Sequence, residues 1–212
     1  MQYFLGIDIG TYESKGVLTD KEGNIIASAT HPHKMLLPQP GWAEHRPEED
    51  WWNDFVKITK KILKASKSNP SDISCIATSA IGPCMLPVSY EGDPIMNAVL
   101  YGVDTRAENE IRELNEEVGE EKILQNCGNA LPSQSVGPKI LWLKKNCPEI
   151  FKRAGKILSS TSFLVQKLTG ESVIDHYTAA NFTPLYDIKN LKWTDALTLS
   201  LIHISEPTRQ WS

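Results

Sequence analysis

The stretch Tyr3-Phe4-Leu5-Gly6-Ile7-Asp8-Ile9-Gly10-Thr11-Tyr12-Glu13-Ser14-Lys15-Gly16 decides the fold of this chain. Its nearly continuous apolar run predicts a strand buried on both faces, with one acid, Asp8, just before a Gly-Thr turn. A second strand is predicted from Lys15 to Thr19. After a turn at Gly23-Asn24, a third strand is predicted from Ile25 to Thr30. The chain therefore opens with three consecutive strands joined by short turns.

The acid in the first strand points to phosphate chemistry. A carboxylate in a buried strand needs a partner, because removing it from water costs several kcal/mol. We expect Asp8 to hold a hydrated Mg²⁺ through its waters, the usual arrangement when phosphates supply other ligands. Gly10 would let backbone N–H groups approach a phosphate, Thr11 would add a hydroxyl, and Lys15 could reach a terminal phosphate. The alternative is an ordinary hairpin with Asp8 at a solvated strand end.

Composition limits the class of protein. The 212 residues are 41% hydrophobic and 23% charged, which is typical of a globular protein with a sizeable core. The net charge of −4 argues against nucleic-acid binding as the main function. The first strand is too short and too acidic for a signal peptide or membrane span. The four cysteines have neither disulfide-like nor zinc-like spacing, so we expect reduced thiols and a cytoplasmic location.

The C-terminal end needs separate treatment. Residues 199–209, Leu-Ser-Leu-Ile-His-Ile-Ser-Glu-Pro-Thr-Arg, are similar to an in-frame translation of a DNA-sequencing adapter. We therefore expect residues 199–212 to be a non-native tail and residues 1–198 to be the front part of a longer protein. The alternative is a genuine C-terminal tail.

Small residues follow the next predicted strand, Ile73 to Thr78. They run from Ser79 through Ile81 and Gly82 to Pro83, and they bring the backbone close to whatever lies beyond the strand. Open α/β sheets bind ligands at the carboxyl ends of their strands. Ile81 and Gly82 are therefore candidate substrate-binding residues. A helix, predicted from Pro47 to about Ser66, precedes this strand.

A second polar group follows the strand predicted at residues 98–100. Tyr101 leads to Asp104 and Arg106, and Thr105-x-x-Glu108 predicts a capping box at the start of a helix. Asp104 and Arg106 form either a surface ion pair worth less than about 1 kcal/mol or a pair that hydrogen-bonds a polyol.

The C-terminal third predicts several helices and one loop. Helices are expected from Pro138, from Pro148 and from Thr161 to Leu168. Residues 171–180 are predicted to be a loop, in which Asp175 and His176 could face a ligand or simply be solvated.

In its order of motifs, the chain resembles the N-terminal domain of the FGGY family of carbohydrate kinases, members of the sugar kinase–actin–Hsp70 superfamily. The motifs are Gly6-Ile7-Asp8-Ile9-Gly10-Thr11 with Lys15, Gly41-Trp42-Ala43-Glu44-His45 with Pro47 and Trp51-Trp52, Tyr101 to Arg106, Gly137 to Leu143, Pro148 to Phe151, Leu168-Thr169-Gly170-Glu171, and Trp193-Thr194-Asp195. The resemblance implies an incomplete α/β domain of the actin-like, ribonuclease H-like ATPase type. Such a domain begins with three antiparallel strands and continues as a mixed sheet with helices on both faces.

The resemblance also implies an activity: transfer of the γ-phosphoryl group of ATP, with Mg²⁺, to a hydroxyl of a sugar or polyol. The implied phosphate-binding residues are Gly10, Thr11 and Lys15, and Asp8 would hold the metal through water. The implied substrate-binding residues are Ile81, Gly82, Tyr101, Asp104 and Arg106. No nucleic-acid or membrane partner is implied, and the full-length protein could form a homodimer.

Two parts expected of the family are missing from the chain. The Asp that acts as general base matches nothing before Leu199, and neither Asp175 nor Asp187 takes its place. We expect the C-terminal ATP-binding domain to lie outside this chain as well. The chain thus holds no catalytic base, and we predict that it is inactive alone. Its unpaired sheet edge is expected to promote aggregation.

The sequence is compatible with several substrates. The segments are most similar to xylulokinases and other pentulose kinases. However, Ser79 to Pro83 stands where those enzymes carry Gln-Met-His, and Tyr101-Gly102-Val103 lacks their Trp-Asn pair. A pentulose such as xylulose is the first expectation. The alternatives are gluconate, glycerol or a hexulose, or a nucleotide-switch member of the superfamily that takes no sugar.

Overall fold

A computed structural model of the chain describes residues 2–194 and 209–210. The strands are β1 (Tyr3–Ile9), β2 (Glu13–Thr19), β3 (Ile25–Pro32), β4 (Glu44–His45), β5 (Ile73–Ala80), β6 (Leu86–Val88), β7 (Ala98–Val99), β8 (Lys156–Leu158), β9 (Val173–Ile174), β10 (Tyr186–Asp187), β11 (Lys192–Trp193) and β12 (Arg209–Gln210). The helices are α1 (Asn53–Ser66), α2 (Glu108–Val118), α3 (Glu120–Cys127), α4 (Val136–Asn146), α5 (Pro148–Arg153), α6 (Ser160–Thr169) and α7 (His176–Ala180). Apart from β12, the predicted non-native tail lies outside the described residues.

The chain divides into two compact units. The first consists of Met1–Met35 and Arg46–Ile81, and the second of Leu36–His45 and Gly82–Ser212. The candidate phosphate residues belong to the first unit, whereas Tyr101, Asp104 and Arg106 belong to the second.

The first unit is built on a four-stranded sheet in the order β3-β2-β1-β5. Strands β1, β2 and β3 are antiparallel neighbours, and β5 pairs parallel with β1. This confirms the predicted antiparallel opening and the mixed sheet. The predicted α1 is also present, preceded by a π-helical turn at Pro47–Trp52.

Helix α1 covers one face of this sheet. Its Ile58 and Ile62 are fully buried, as are Ile9 and Leu18 of the strands. The helix lies so close that a Cβ built on Gly16 of β2 would be 2.4 Å from Cγ2 of Ile58. Alternate residues of β1 and β2 therefore form the core of this unit.

The opposite face of the sheet is open, and this corrects one prediction. Phe4 of β1 and Val17 of β2 are each 37% exposed, and Asp8 is exposed. The prediction that β1 is buried on both faces is wrong. A continuous apolar run is typical of a strand between two layers, but in the described residues of this unit α1 packs on one side only.

The second unit contains short strand pairs around a helical core. β4 pairs antiparallel with β7, β6 with β8, and β10 with β11, whereas β9 and β12 are parallel. Between residues 85 and 99 the chain turns back on itself, with antiparallel bridges from Met85 to Val99 and from Val88 to Pro94. The core centres on α4, where Ile140 and Leu143 are buried with Phe182 and Tyr186.

Local predictions in the second unit are partly confirmed. Helix α4 begins two residues before the expected Pro138, and α6 extends one residue beyond the predicted Thr161 to Leu168 at each end, with Gly170 as its C-cap. The predicted loop at 171–180 is wrong, because it contains β9 and α7. The four cysteines are free thiols, as expected. Among the described helices, none has the length and apolar character needed to cross a membrane.

Candidate active site

The candidate phosphate residues of the first unit lie on the open face of the sheet. Asp8 of β1 is directly opposite Lys15 of β2 and opposite Ser79 of β5 in strand register. Residues paired in this way point to the same face, so a carboxylate, an ammonium and a hydroxyl form one row across three strands. The row lies beside a concave surface of about 320 Å³, lined by Gly6, Ile7, Asp8, Lys15, Gly16, Val17, Ala77, Thr78 and Ser79.

Asp8 is exposed, so its carboxylate carries no desolvation cost that a partner would have to offset. The sequence suggested a buried acid that needs a partner, but the carboxylate is exposed and keeps its water. The donor set still suits Mg²⁺, which binds through one or two carboxylates, retains several waters and takes further ligands from phosphates. In the described residues, no group of three or more His, Cys, Asp or Glu side chains is placed to hold a metal.

The turn after β1 explains why Gly10 is a glycine. Its N–H donates to the carbonyl of Glu13 at 3.1 Å, and a Cβ built on it would lie 2.6 Å from that oxygen. A side chain at this position would therefore displace the turn. The N–H of Gly10 is used inside the turn. Thr11, half-buried, follows it, and the exposed Lys15 lies 3.9 Å from the Glu13 carboxylate.

Sequence reasoning missed His33, whose ring contacts the Gly10 carbonyl in this turn. Its Nε2 lies 3.0 Å from the Gly10 carbonyl oxygen, and its Nδ1 lies 2.9 Å from Oδ2 of Asp54 on α1. Burial lowers the pKa of His33, but the hydrogen bond to Asp54 and the attraction of its charge outweigh burial, so the pKa is raised. No local pattern marks His33, because its partners are distant in the chain.

In the second unit, Asp104 and Arg106 form a buried ion pair. Both side chains have 0% exposure. The guanidinium donates to Asp104 at 2.8 Å and to Glu44 at 2.9 Å, and Asp104 also accepts the N–H of Ala43 at 2.6 Å. The Arg106 guanidinium lies 3.9 Å from the ring centroid of Trp42. The network joins the segment before β4 to the start of α2.

This arrangement corrects two predictions. The prediction of a surface ion pair is wrong, because both side chains are buried. Breaking such a pair is far more costly than breaking an exposed one. The capping box is wrong too: the Thr105 hydroxyl contacts the Gly41 carbonyl, and Ala107 is the N-cap of α2 without a side-chain cap. The oxygens of Asp104 are occupied by protein donors, which favours a positioning role for Asp104 and Arg106. Contact of either side chain with a polyol stays a prediction.

Lys139 of α4 holds the end of β7 in place. Its ammonium is buried and donates to the backbone carbonyls of Leu100 and Tyr101. Burial lowers its pKa to about 8, although the charge of Asp104 opposes this shift. Burial also raises the pKa of the neighbouring Cys84 thiol to about 12, so this thiol is protonated at neutral pH. The half-buried Tyr101 is thus fixed through its backbone.

A polar cleft that the sequence did not predict lies near Gly102, the residue after Tyr101. Its volume is about 200 Å³, and it is lined by Asn129, Pro132, Gln134, Ser135, Ala180, Asn181 and Thr183. The Ser133 hydroxyl next to this lining donates to the Gly102 carbonyl at 3.0 Å, which ties the cleft to the end of β7. Amide and hydroxyl side chains are the groups that bind neutral polyols. The run of polar residues before α4 was the available signal.

The remaining predicted residues have simpler positions. Ile81 ends the first unit, and its N–H donates to the Ile9 carbonyl at 2.8 Å. Gly82 begins the second unit, is exposed, and has open space where a side chain would stand. Asp175 caps α7 by accepting the N–H of Thr178, and His176 Nδ1 lies 2.5 Å from the Tyr186 hydroxyl. Asp175 and His176 therefore have structural partners.

Comparison with known proteins identifies the family of this chain. The model of the FGGY family of carbohydrate kinases, N-terminal domain, matches residues 3–207. A glycerol kinase from Thermococcus gammatolerans is 34% identical over 92% of this chain and 40% of its own length. A xylulose kinase from Staphylococcus xylosus is 29% identical over 93% of this chain and 40% of its own length.

A solved structure of a sugar kinase has a similar fold. The crystal structure of xylulose kinase from Rhodospirillum rubrum matches with a TM-score of 0.88 and 25% identity, over 99% of this chain and 42% of that one. The chain thus spans about 40% of the length of the relatives that it matches. With the family model matched over nearly its whole length, this chain belongs to the FGGY family of carbohydrate kinases.

Proposed function

We propose that this chain is the N-terminal part of an ATP-dependent kinase that phosphorylates a hydroxyl of a small ketose or polyol. The row formed by Asp8, Lys15 and Ser79 carries the proposal, because it combines a metal-binding carboxylate, a cation and a hydroxyl on an open surface. Phosphoryl transfer depends mainly on positioning and on charge stabilisation, and these are the groups that provide both.

Each residue has a proposed role in phosphate binding. Lys15 places a positive charge at a terminal phosphate, and Thr11 offers a hydroxyl next to the turn that Gly10 shapes. Asp8 holds hydrated Mg²⁺ through water. When bound, this ion would neutralise charge on the phosphates. We propose that a base outside residues 1–198 takes the proton of the acceptor hydroxyl, so we expect the chain alone to show no kinase turnover.

We place the acceptor in the polar cleft of the second unit, beside Tyr101. A volume of about 200 Å³ equals that of roughly six or seven water molecules in the liquid, which suits a small polyol. Gly82 and Tyr101 stay proposed contacts, whereas Asp104 and Arg106 would act by fixing the backbone that carries Tyr101. A pentulose such as xylulose is our first candidate for the acceptor. Glycerol is the second, since glycerol kinases are among the relatives.

The test is a substrate panel with the complete enzyme, obtained by reading the gene through the codons for residues 199–212. We expect MgATP-dependent phosphorylation of a pentulose with a higher kcat/KM than of glycerol, gluconate or a hexulose. The matched variant Gln134→Leu should raise the KM of the acceptor and leave the KM of ATP unchanged, because Gln134 lines the polar cleft. Phosphorylation of glycerol but no ketose would overturn the pentulose assignment. ATP hydrolysis indifferent to every acceptor would overturn the kinase proposal.

A further inference from the structure

His33 is placed between two hydrogen-bond acceptors. Its Nδ1 lies 2.9 Å from Oδ2 of Asp54, and its Nε2 lies 3.0 Å from the carbonyl oxygen of Gly10. A neutral imidazole carries one N–H and one lone pair, so it can donate to only one of these oxygens while its lone pair faces the other. The imidazolium form donates to both. The geometry therefore favours a doubly protonated His33.

The surroundings of His33 support a buried cation. The side chains of His33 and Asp54 are 4% and 2% exposed, so little water competes for their hydrogen bonds. Oδ1 of Asp54 lies 3.5 Å from His31 and 3.7 Å from Lys57, whereas Oδ2 faces His33 and also accepts the Ser14 hydroxyl. The titratable, charged and polar groups that face this cluster come from β2, β3, the π-helical turn and α1: Ser14, His31, Asp50, Asp54 and Lys57.

A hydrolytic triad does not explain the cluster. Ser14 Oγ lies 3.4 Å from Nδ1 of His33, the same nitrogen that contacts Asp54, and its hydroxyl donates to Asp54 at 3.0 Å. In a Ser-His-Asp triad, serine and aspartate bind opposite ring nitrogens. Here Nε2 is directed to a backbone carbonyl. The cluster is therefore arranged to hold the backbone and not to activate Ser14.

We propose that His33 is a positioning residue for phosphate binding: as an imidazolium, it clamps the turn carbonyl of Gly10 to Asp54 of α1. The clamp fixes the turn between Asp8 and Lys15 against a helix that is itself packed on the sheet. This inference rests on the proposed function of the hairpin. It adds a residue outside the hairpin on which the geometry of the turn depends.

The clamp makes the turn sensitive to pH. Because the pKa of His33 is raised in the folded chain, its stabilising contribution is complete below the ordinary histidine value of about 6.5 and is lost as pH rises through the raised value. When the ring loses a proton, it keeps one of the two bonds. Asp54 is the stronger acceptor because it is charged, so the bond to Gly10 is the one that breaks.

The first test needs no kinase activity. Nitrogen-15 NMR of the histidine rings in the 212-residue chain should show both ring nitrogens of His33 protonated at neutral pH. The variant Asp54→Asn keeps the shape of the side chain and removes its charge, so it should lower the pKa of His33. A single protonated ring nitrogen at neutral pH, unchanged by Asp54→Asn, would overturn the clamp.

The second test measures kinetics in the complete enzyme. A glutamine amide has a donor end and an acceptor end, so His33→Gln cannot donate to both oxygens. We expect kcat/KM for MgATP to fall by about 10- to 100-fold, the usual effect of losing a supporting contact, with the acceptor KM little changed. His31→Gln is the matched control, because His31 also faces Asp54 but the contact to Gly10 belongs to His33.

The pH profile separates positioning from a merely structural role. Wild-type kcat/KM for MgATP should fall on the alkaline side as His33 loses its proton. Asp54→Asn should move this fall to lower pH, and His33→Gln should abolish it. An NMR result as expected together with unaltered MgATP kinetics in His33→Gln would overturn the positioning role. If the wild-type enzyme phosphorylates no acceptor, the proposed function fails, and the NMR measurement still decides the clamp.

Discussion

Asp8 stands at the end of β1 on the sheet face opposite α1, and its carboxylate is exposed. Its proposed role therefore depends on position and charge and not on a desolvation penalty. An exposed carboxylate keeps its water, which is the condition under which Mg²⁺ can be bound through water. Two buried acids behave differently: Asp54 and Asp104 are each bound by protein donors.

We predict that Asp8→Asn in the complete enzyme lowers kcat by several orders of magnitude and leaves acceptor affinity little changed. The reason is that the variant removes electrostatic support for phosphoryl transfer but no acceptor contact. Steady-state kinetics and acceptor binding would measure the two effects. Asp20→Asn is the control, because Asp20 is a carboxylate in the turn between β2 and β3. Near-normal turnover in Asp8→Asn would exclude Asp8 from the mechanism.

At the level of elements, the contact between α1 and β2 depends on the absence of a side chain at Gly16. A Cβ there would lie 2.4 Å from Ile58, 2.7 Å from Ile7 and 2.9 Å from Ile62, all of them packed core atoms. On the other face of the sheet, a Cβ on Gly6 would be 3.5 Å from Val17, an ordinary contact. The two glycines lie on adjacent strands and differ in whether a helix covers them.

We predict that Gly16→Ala destabilises the chain by about 1–3 kcal/mol, because overpacking moves α1 or the strands. Gly6→Ala should be neutral or stabilise by about 0.4–1 kcal/mol, because alanine restricts the unfolded chain. Urea unfolding followed by circular dichroism would give both values. Equal effects of the two variants would contradict the close packing of α1 on β2.

At the level of the whole molecule, the two edges of the first unit's sheet differ. The edge strand β3 is partly protected, since Lys61 donates to the Thr30 carbonyl at 2.8 Å. The other edge strand, β5, has consecutive exposed residues from Ser74 to Ala77, including Ile76 at 41% exposure. Unpaired edges with apolar residues favour association between chains, whereas lysine at an edge opposes it.

We predict that the isolated chain self-associates through β5. Ile76→Lys should weaken this association by roughly tenfold or more, because it places a charge on the edge. Ile25→Lys on β3 is the matched control and should have little effect, because that edge is already protected. Sedimentation velocity over a range of concentrations would compare the variants. A chain that stays monomeric at all concentrations, or equal effects of both variants, would contradict the prediction.

Much of the architecture was predictable from local patterns. The three antiparallel strands, α1 and β5 were expected from apolar runs, turn residues and helical spacing, all of which act over a few neighbouring residues. Helices α3 and α7 and strand β9 were missed, because elements this short are stabilised by tertiary packing and not by their own periodicity.

By itself, the sequence determined the order of the first elements, the choice of Asp8 and Lys15 as candidate site residues and the similarity to a kinase family. These depend on residue type and spacing along the chain. Only the tertiary structure decided that Asp8 is exposed, that Asp104 and Arg106 are buried, and that a polar cleft forms near Tyr101. It also placed His33 against Gly10, 23 residues away. Burial and such contacts depend on which distant segments meet, and local sequence patterns do not encode these long-range contacts.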